Sequence, residues 1–306
     1  METTLTENDI REIIKAFSDR EITCVEQVYK SAWDIDDRFI LKQCGDLNEL
    51  NKSVWFSEYL TGKCISVRTY LQTIDGKYYI EFNGQHYCLM NKIRGSHMEP
   101  FEGNRFDNGL LLGEIVAELH QALAGADTPF ELYDAHYIDE LRGWLFEEIK
   151  KNNLPVSGAI IQACLDFEQL YSKLPRQIIH RDMHLLNLVF ENGRFAGYLD
   201  FDISQKNVRI FDLCYLGCSM LVGNYADDVK LNQWKEIFHG VCTGYNKRIC
   251  LGNEEKEAIP VMFLLIELTF TAWYTMLGQP ELAQSCVHMA NWCYGHSDQI
   301  KSAIVP

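Results

Sequence analysis

One segment constrains this chain more than any other. Residues 178–202 read IIHRDMHLLNLVFENGRFAGYLDFD. Two apolar runs, Leu186 to Glu191 and Arg194 to Phe201, flank Asn192-Gly193, the strongest two-residue signal for a β-hairpin. With Asn192 and Gly193 as the turn, Glu191 is expected opposite Arg194, and Asn187 opposite Tyr198. Side chains repeat every two residues along a strand, which sets Asp200 on the face of Asn187 and diagonal to it. Such neighbours lie roughly 7–8 Å apart, a gap that one octahedral cation with oxygen ligands at about 2.1 Å can bridge. His180, Asp182 and Asn187 stand in the order H-R-D-x-x-x-x-N, with Asp200 following. These are the residue types a phosphoryl-transfer site needs: a carboxylate to take a hydroxyl proton, and an amide plus a second carboxylate to hold magnesium.

Composition narrows the partners. The 306 residues are enough for two lobes with their own cores. A net charge of −15 argues against a nucleic-acid backbone as partner and suits a cationic small molecule. The 11 cysteines are scattered without a C-x-x-C pair, and Cys214 and Cys218 sit four apart on an apolar helical run as core neighbours. Reduced thiols and an acidic start, METTLTENDIREIIK, without an apolar targeting core lead us to expect a cytoplasmic protein. The apolar stretch Ala258 to Leu277 has the length of a membrane span but carries Pro260 and Glu267, so a buried helix and no membrane association are expected.

The periodicity changes near Gly95. Before it, a short helix at 8–17 precedes strands at Cys24 to Ala32 and Arg38 to Cys44, joined by the polar turn WDIDD. A helix at 47–61 follows, then strands near 65–73, 77–82 and 86–92, with Asp75-Gly76 and Asn83-Gly84 as turns. After it, helical stripes run through 112–123, 137–149 and 158–173, and beyond the hairpin through 210–222, 229–249, 258–278 and 280–295. The expected architecture is α+β and bilobal: a small antiparallel β-rich lobe at 1–94, a hinge at Asn91 to Gly95, and a larger helical lobe at 95–306.

That arrangement, with LLLGEIVAELHQAL at 110–123, HRDMHLLN at 180–187, GYLDFD at 197–202 and NVRIFDLCYL at 207–216, resembles the aminoglycoside phosphotransferase and choline-kinase-like family of small-molecule kinases. His184 in D-x-H-x-x-N and the Phe211 to Leu213 F-D-L are typical of that family rather than of eukaryotic protein kinases. The resemblance implies a protein-kinase-like fold and an ATP- and Mg2+-dependent kinase, with GTP as the alternative donor. The acceptor it implies is a hydroxyl of an aminoglycoside, amino alcohol, sugar or amino acid. A bacterial protein Ser/Thr kinase of the same fold and a non-catalytic binding or structural member are the alternatives.

Roles follow residue by residue. Asp182 is the catalytic base, and Asn187 and Asp200 are the metal ligands. Lys42, ending the strand FILK, resembles the lysine that reaches the nucleotide phosphates, and hinge readout is expected near Met90 to Lys92. His180, His184, Asp202 and Asp212 support the site, with Asp212 bracing the catalytic loop from the following helix. His120 is expected as a packed core histidine. Glu267, Trp273 and Tyr274 are candidates for the substrate wall, with a structural hydrogen bond as the competing expectation for Glu267. Two features depart from the family. No glycine-rich loop separates the first two strands. The helix position expected to hold the acid that pairs with Lys42 is Ser53, and Glu49, one turn earlier, is the stand-in.

Overall fold

The computed structural model describes residues 5–18 and 21–304; the first four residues of the amino-terminal stretch lie outside it. Two compact units emerge, one made of Met1–Met98 with Leu186–Ile203, the other of Glu99–Leu185 with Ser204–Pro306. The hairpin that the sequence reading places in the larger lobe thus groups with the smaller unit.

The first unit is built on a five-stranded antiparallel sheet in the order β1-β2-β3-β5-β4. Its strands are β1 (Val25–Tyr29), β2 (Ala32–Ile35), β3 (Phe39–Cys44), β4 (Ile80–Phe82) and β5 (Gln85–Asn91). Alternation sorts the strand residues onto two faces. Trp33, Ile35, Leu41, Tyr87 and Leu89 pack with Ile10, Ile13 and Ile14 of helix α1 (Glu7–Lys15). Ile40, Cys88 and Met90 pack with Leu50 and Val54 of helix α2 (Leu47–Gly62). Lys42, two residues after Ile40 and paired with Cys88, therefore falls on the α2 side. The Asp46 side chain caps α2 by accepting from the Asn48 N–H. Buried positions on α2 include Leu50, Ser53, Val54 and Ser57, the three-and-four spacing of one helical face.

The sequence expectation differs here in two places. The run Cys24 to Ala32 is two strands turned at Lys30-Ser31, and WDI belongs to β2 rather than to a turn. The stretch 65–73 is not a strand; it makes only isolated bridges, Val67 with Tyr198 and Tyr70 with Met90. It is shared between two partners instead of following one.

The hairpin strands Leu188–Glu191 and Arg194–Tyr198 join this unit through Val67 and through Ser96, which exchanges hydrogen bonds of 2.9 and 2.8 Å with Phe190. Gly95 admits that contact, since a Cβ there would sit 2.2 Å from the Phe190 carbonyl oxygen.

In the second unit, helix α3 (Arg105–Leu123) and the helix Asp228–Arg248 touch backbone to backbone. A Cβ on Gly113 would lie 1.9 Å from the Val241 carbonyl oxygen, and one on Gly244 would lie 2.0 Å from that of Leu110. The expected helix through 137–149 is interrupted by a π-helical segment, Leu141–Leu145, where Gly143 leaves helical geometry. A two-stranded antiparallel ladder, Arg176–Ile179 with Gln205–Val208, leads into the HRD segment. Among the described residues, Asn253–Met276 is long and apolar enough to cross a membrane, and 67% of its most apolar window is buried within the protein.

Candidate active site

In the first unit the site begins with Lys42, whose Nζ lies 2.7 Å from Asp202 Oδ2 and 3.5 Å from Asp200 Oδ1. The other Asp202 oxygen accepts from Ser53 Oγ at 2.5 Å. Burial disfavours the ammonium, but Asp202 and Asp200 outweigh it and raise the Lys42 pKa above the ordinary lysine value. Burial likewise opposes charge on Asp202, and the Lys42 charge and hydrogen bond, with Ser53, bring its pKa below the usual range. Lys42, Ser53, Arg68, Tyr70, Met90 and Asp200 line one cavity. Burial lowers the Arg68 pKa, and its Nε has no hydrogen-bond partner among the described residues.

The hairpin geometry corrects the sequence expectation. Asn192 and Gly193 both have positive φ (52° and 74°), as a type I′ turn requires, and Glu191 pairs with Arg194. Val189 then pairs with Gly197, so Ala196 is an extra residue and the register slips by one. Leu188, not Asn187, stands opposite Tyr198. Asn187 lies in a 3₁₀ turn just before the strand, and its carbonyl accepts from the Leu199 N–H at 2.9 Å. Asp200 follows the second strand with φ +56°, a conformation uncommon for a residue other than glycine. Both residues remain in one unit, but no strand face carries them, and Asp202 shares none with Asp200.

Met90 is buried and lines the cavity, whereas Lys92 is committed elsewhere. Its N–H donates to the Arg38 carbonyl at 2.8 Å and its ammonium pairs with Asp34 and Asp37. The Lys92 N–H and ammonium are thus both engaged within the first unit.

In the second unit, Asp212 is fully buried at the start of the helix Ile210–Leu221. Its carboxylate accepts from the His180 and Arg181 amides, each at 2.8 Å. His120 Nε2 donates to it at 3.1 Å, leaving Nδ1 to accept from the Tyr245 hydroxyl at 2.9 Å. Arg181 has φ +75°, so the loop bends at the residue preceding Asp182 with both flanking amides held. The Asp182 N–H donates to His180 Nδ1 at 3.3 Å, and His184 Nε2 lies 3.3 Å from Asp182 Oδ2. Tyr215 hydrogen-bonds the Asp182 carboxylate; burial, then that charge, push the tyrosine pKa up. The Arg181 guanidinium lies over the Phe211 and Phe270 rings, 5.6 and 5.8 Å from their centroids.

Sequence comparison supplies the decisive observation. The sequence model described as the phosphotransferase enzyme family matches residues 67–242, more than half of the chain. The chain belongs to this phosphotransferase family. A homoserine kinase of Neisseria meningitidis serogroup B is 28% identical over 231 residues, covering 72% of this chain and 68% of that one. The GDP complex of an aminoglycoside 2'-phosphotransferase-IIIa superposes with a TM-score of 0.67 at 13% identity, covering 96% of this chain and 100% of that one. An amicoumacin kinase in complex with AMP-PNP and Ca2+ gives 0.67 at 15% identity, covering 90% and 89%. The fold is thus the small-molecule-kinase variant of the protein-kinase architecture, and this phosphotransferase is an enzyme with an alcohol group as its acceptor.

Within this phosphotransferase, Glu267 is corrected as a substrate residue. It is 3% exposed and hydrogen-bonds the thiols of Cys286 and Cys218, so it serves the helical core. Trp273 is 48% exposed, and Tyr274 lies close enough to feel the charge of Asp182. His120, expected as core packing, is buried as expected but also holds Asp212. Sequence reasoning missed Arg68, Tyr70 and Tyr215. Only the placement of Tyr215, three residues after Asp212 on one helix face, carried a signal.

Proposed function

We propose that this phosphotransferase moves the γ-phosphoryl group of ATP to the hydroxyl of a small amine-bearing molecule, an amino acid or amino alcohol, with homoserine the first candidate. The supporting observation is the oriented HRD loop: His180 accepts the Asp182 N–H, His184 and Tyr215 meet the Asp182 carboxylate, and Asp212 fixes the amides of the turn before it. Asp182 orients the acceptor hydroxyl and accepts its proton as the phosphoryl group departs. Lys42 places positive charge for the nucleotide phosphates. Asn187 and Asp200 are hard oxygen donors in one unit, and two such donors plus phosphate oxygens and water are the usual way a protein holds Mg2+. Bound there, Mg2+ would neutralise charge on the phosphate oxygens. The acidic balance of the chain favours a cationic acceptor over a nucleic acid. Eleven free cysteines agree with work in the cytoplasm.

An ADP-release screen across homoserine, amino alcohols, aminoglycosides and sugars, with Mg2+ and ATP, tests this reading. Turnover is expected with an amine-bearing alcohol and is lost in Asp182→Ala. Release of ADP with none of these acceptors would overturn the acceptor class.

A further inference from the structure

We propose that Asp202 is the positioning residue of Lys42, doing from the segment after the hairpin what an acid on α2 would do from the helix. The inference rests on the proposed nucleotide role of Lys42.

The geometry is direct. The residue of α2 that faces Lys42 across the packed face is Ser53, which is 2% exposed and has no charge to offer. Its hydroxyl donates to one oxygen of Asp202, and Lys42 donates to the other. One carboxylate therefore ties the strand that carries the lysine to the helix beside it. Tyr70 completes the cluster, its hydroxyl hydrogen-bonded to Ser53. Glu49 does not take this part: it is exposed, and the ion pairs of Lys42 are with Asp200 and Asp202. Asp202 also sits nearer the ammonium than Asp200 does, 2.7 against 3.5 Å. Asp200 is the more exposed of the two, its side chain 46% exposed against 33% for Asp202. A short α2 residue and a carboxylate two positions after Asp200 thus form a matched pair. Lengthening one should compensate for neutralising the other.

The test is ATP affinity, by calorimetry in Mg2+, together with steady-state kcat and KM for ATP, in the full chain. Asp202→Asn keeps the shape and removes the charge. It is expected to weaken ATP binding roughly 10- to 100-fold, the effect of losing a charged hydrogen bond. The Mg2+ concentration for half-maximal binding should stay unchanged, which a metal ligand would not allow. In Lys42→Met, adding Asp202→Asn should cost little more, because a residue that acts through another loses its effect with it. Ser53→Glu in the Asp202→Asn background should recover most of the lost affinity. Asp202→Asn with unaltered ATP affinity, equal losses in the presence and absence of Lys42, or no recovery in a folded Ser53→Glu/Asp202→Asn protein would each overturn the assignment. Failure of the unaltered protein to bind ATP would instead overturn the kinase reading on which it rests.

Discussion

Asp212→Asn isolates the bracing of the catalytic loop. The carboxylate is fully buried and takes three hydrogen bonds: the His180 N–H and His120 Nε2–H on Oδ2, and the Arg181 N–H on Oδ1. An amide of the same shape keeps one acceptor oxygen and turns an NH2 group toward a donor. At least one buried N–H then loses its acceptor. A buried donor left without its acceptor costs about 1–3 kcal/mol, and more where the lost acceptor carried charge, so a loss of roughly 2–4 kcal/mol in folding stability is expected. The released amides belong to the two residues before Asp182, and a base displaced by about 1 Å is expected to cost roughly 100-fold in kcat. Urea unfolding monitored by circular dichroism gives the first quantity and steady-state kinetics the second. Asp212→Ala should be worse in both. A variant Asp212→Asn that unfolds within 0.5 kcal/mol of the unaltered protein (about the scatter of surface substitutions) and turns over normally would refute the bracing role.

Two further outcomes test the fold. Burial raises the Glu267 pKa to about 8, against the ordinary glutamate value of 4.5, so the folded state holds a proton that the unfolded chain releases above that lower value. Stability should therefore fall as pH rises from about 4.5 to 8 and level off above it, a loss on the order of 3 kcal/mol by pH 7. Glu267→Gln should flatten that part of the thermal-unfolding profile and raise the melting temperature at pH 8; an unchanged profile contradicts the assignment. Gly113→Ala drives a methyl group to 1.9 Å from the Val241 carbonyl oxygen, and overpacking of this kind costs about 1–3 kcal/mol. A melting temperature unchanged in Gly113→Ala would show that the two helices do not touch as described.

What the sequence revealed depended on how local the cause was. Asn192-Gly193 sets its own backbone, so the turn and the closing pair Glu191–Arg194 were legible. The bulge at Ala196 was not, because it accompanies Gly197 pressing on Ser66 and Ile93, more than 100 residues earlier in the chain. That slip removed the shared strand face of Asn187 and Asp200, although both residue identities came from the motif. The strand over 65–73 failed for a similar reason: its apolar residues satisfy two partners rather than one ladder. The split at Lys30-Ser31 carried no glycine or asparagine to mark it. Asp212 was reachable through the family resemblance, but its partner His120 looked like plain core, since a hydrogen bond between them leaves no pattern in the chain. Ser53 read as a missing acid; its meaning required Asp202, 149 residues away.

The central claim is tested most directly by Mg2+-dependent ATP binding, measured by calorimetry in the unaltered protein, Asp182→Ala and Asp200→Ala. The first two should bind with affinities within a few-fold of one another, because Asp182 acts in the transition state. Asp200→Ala should lose the dependence on Mg2+. No binding by the unaltered protein, or an Asp182→Ala loss as large as that of Asp200→Ala, would contradict the account.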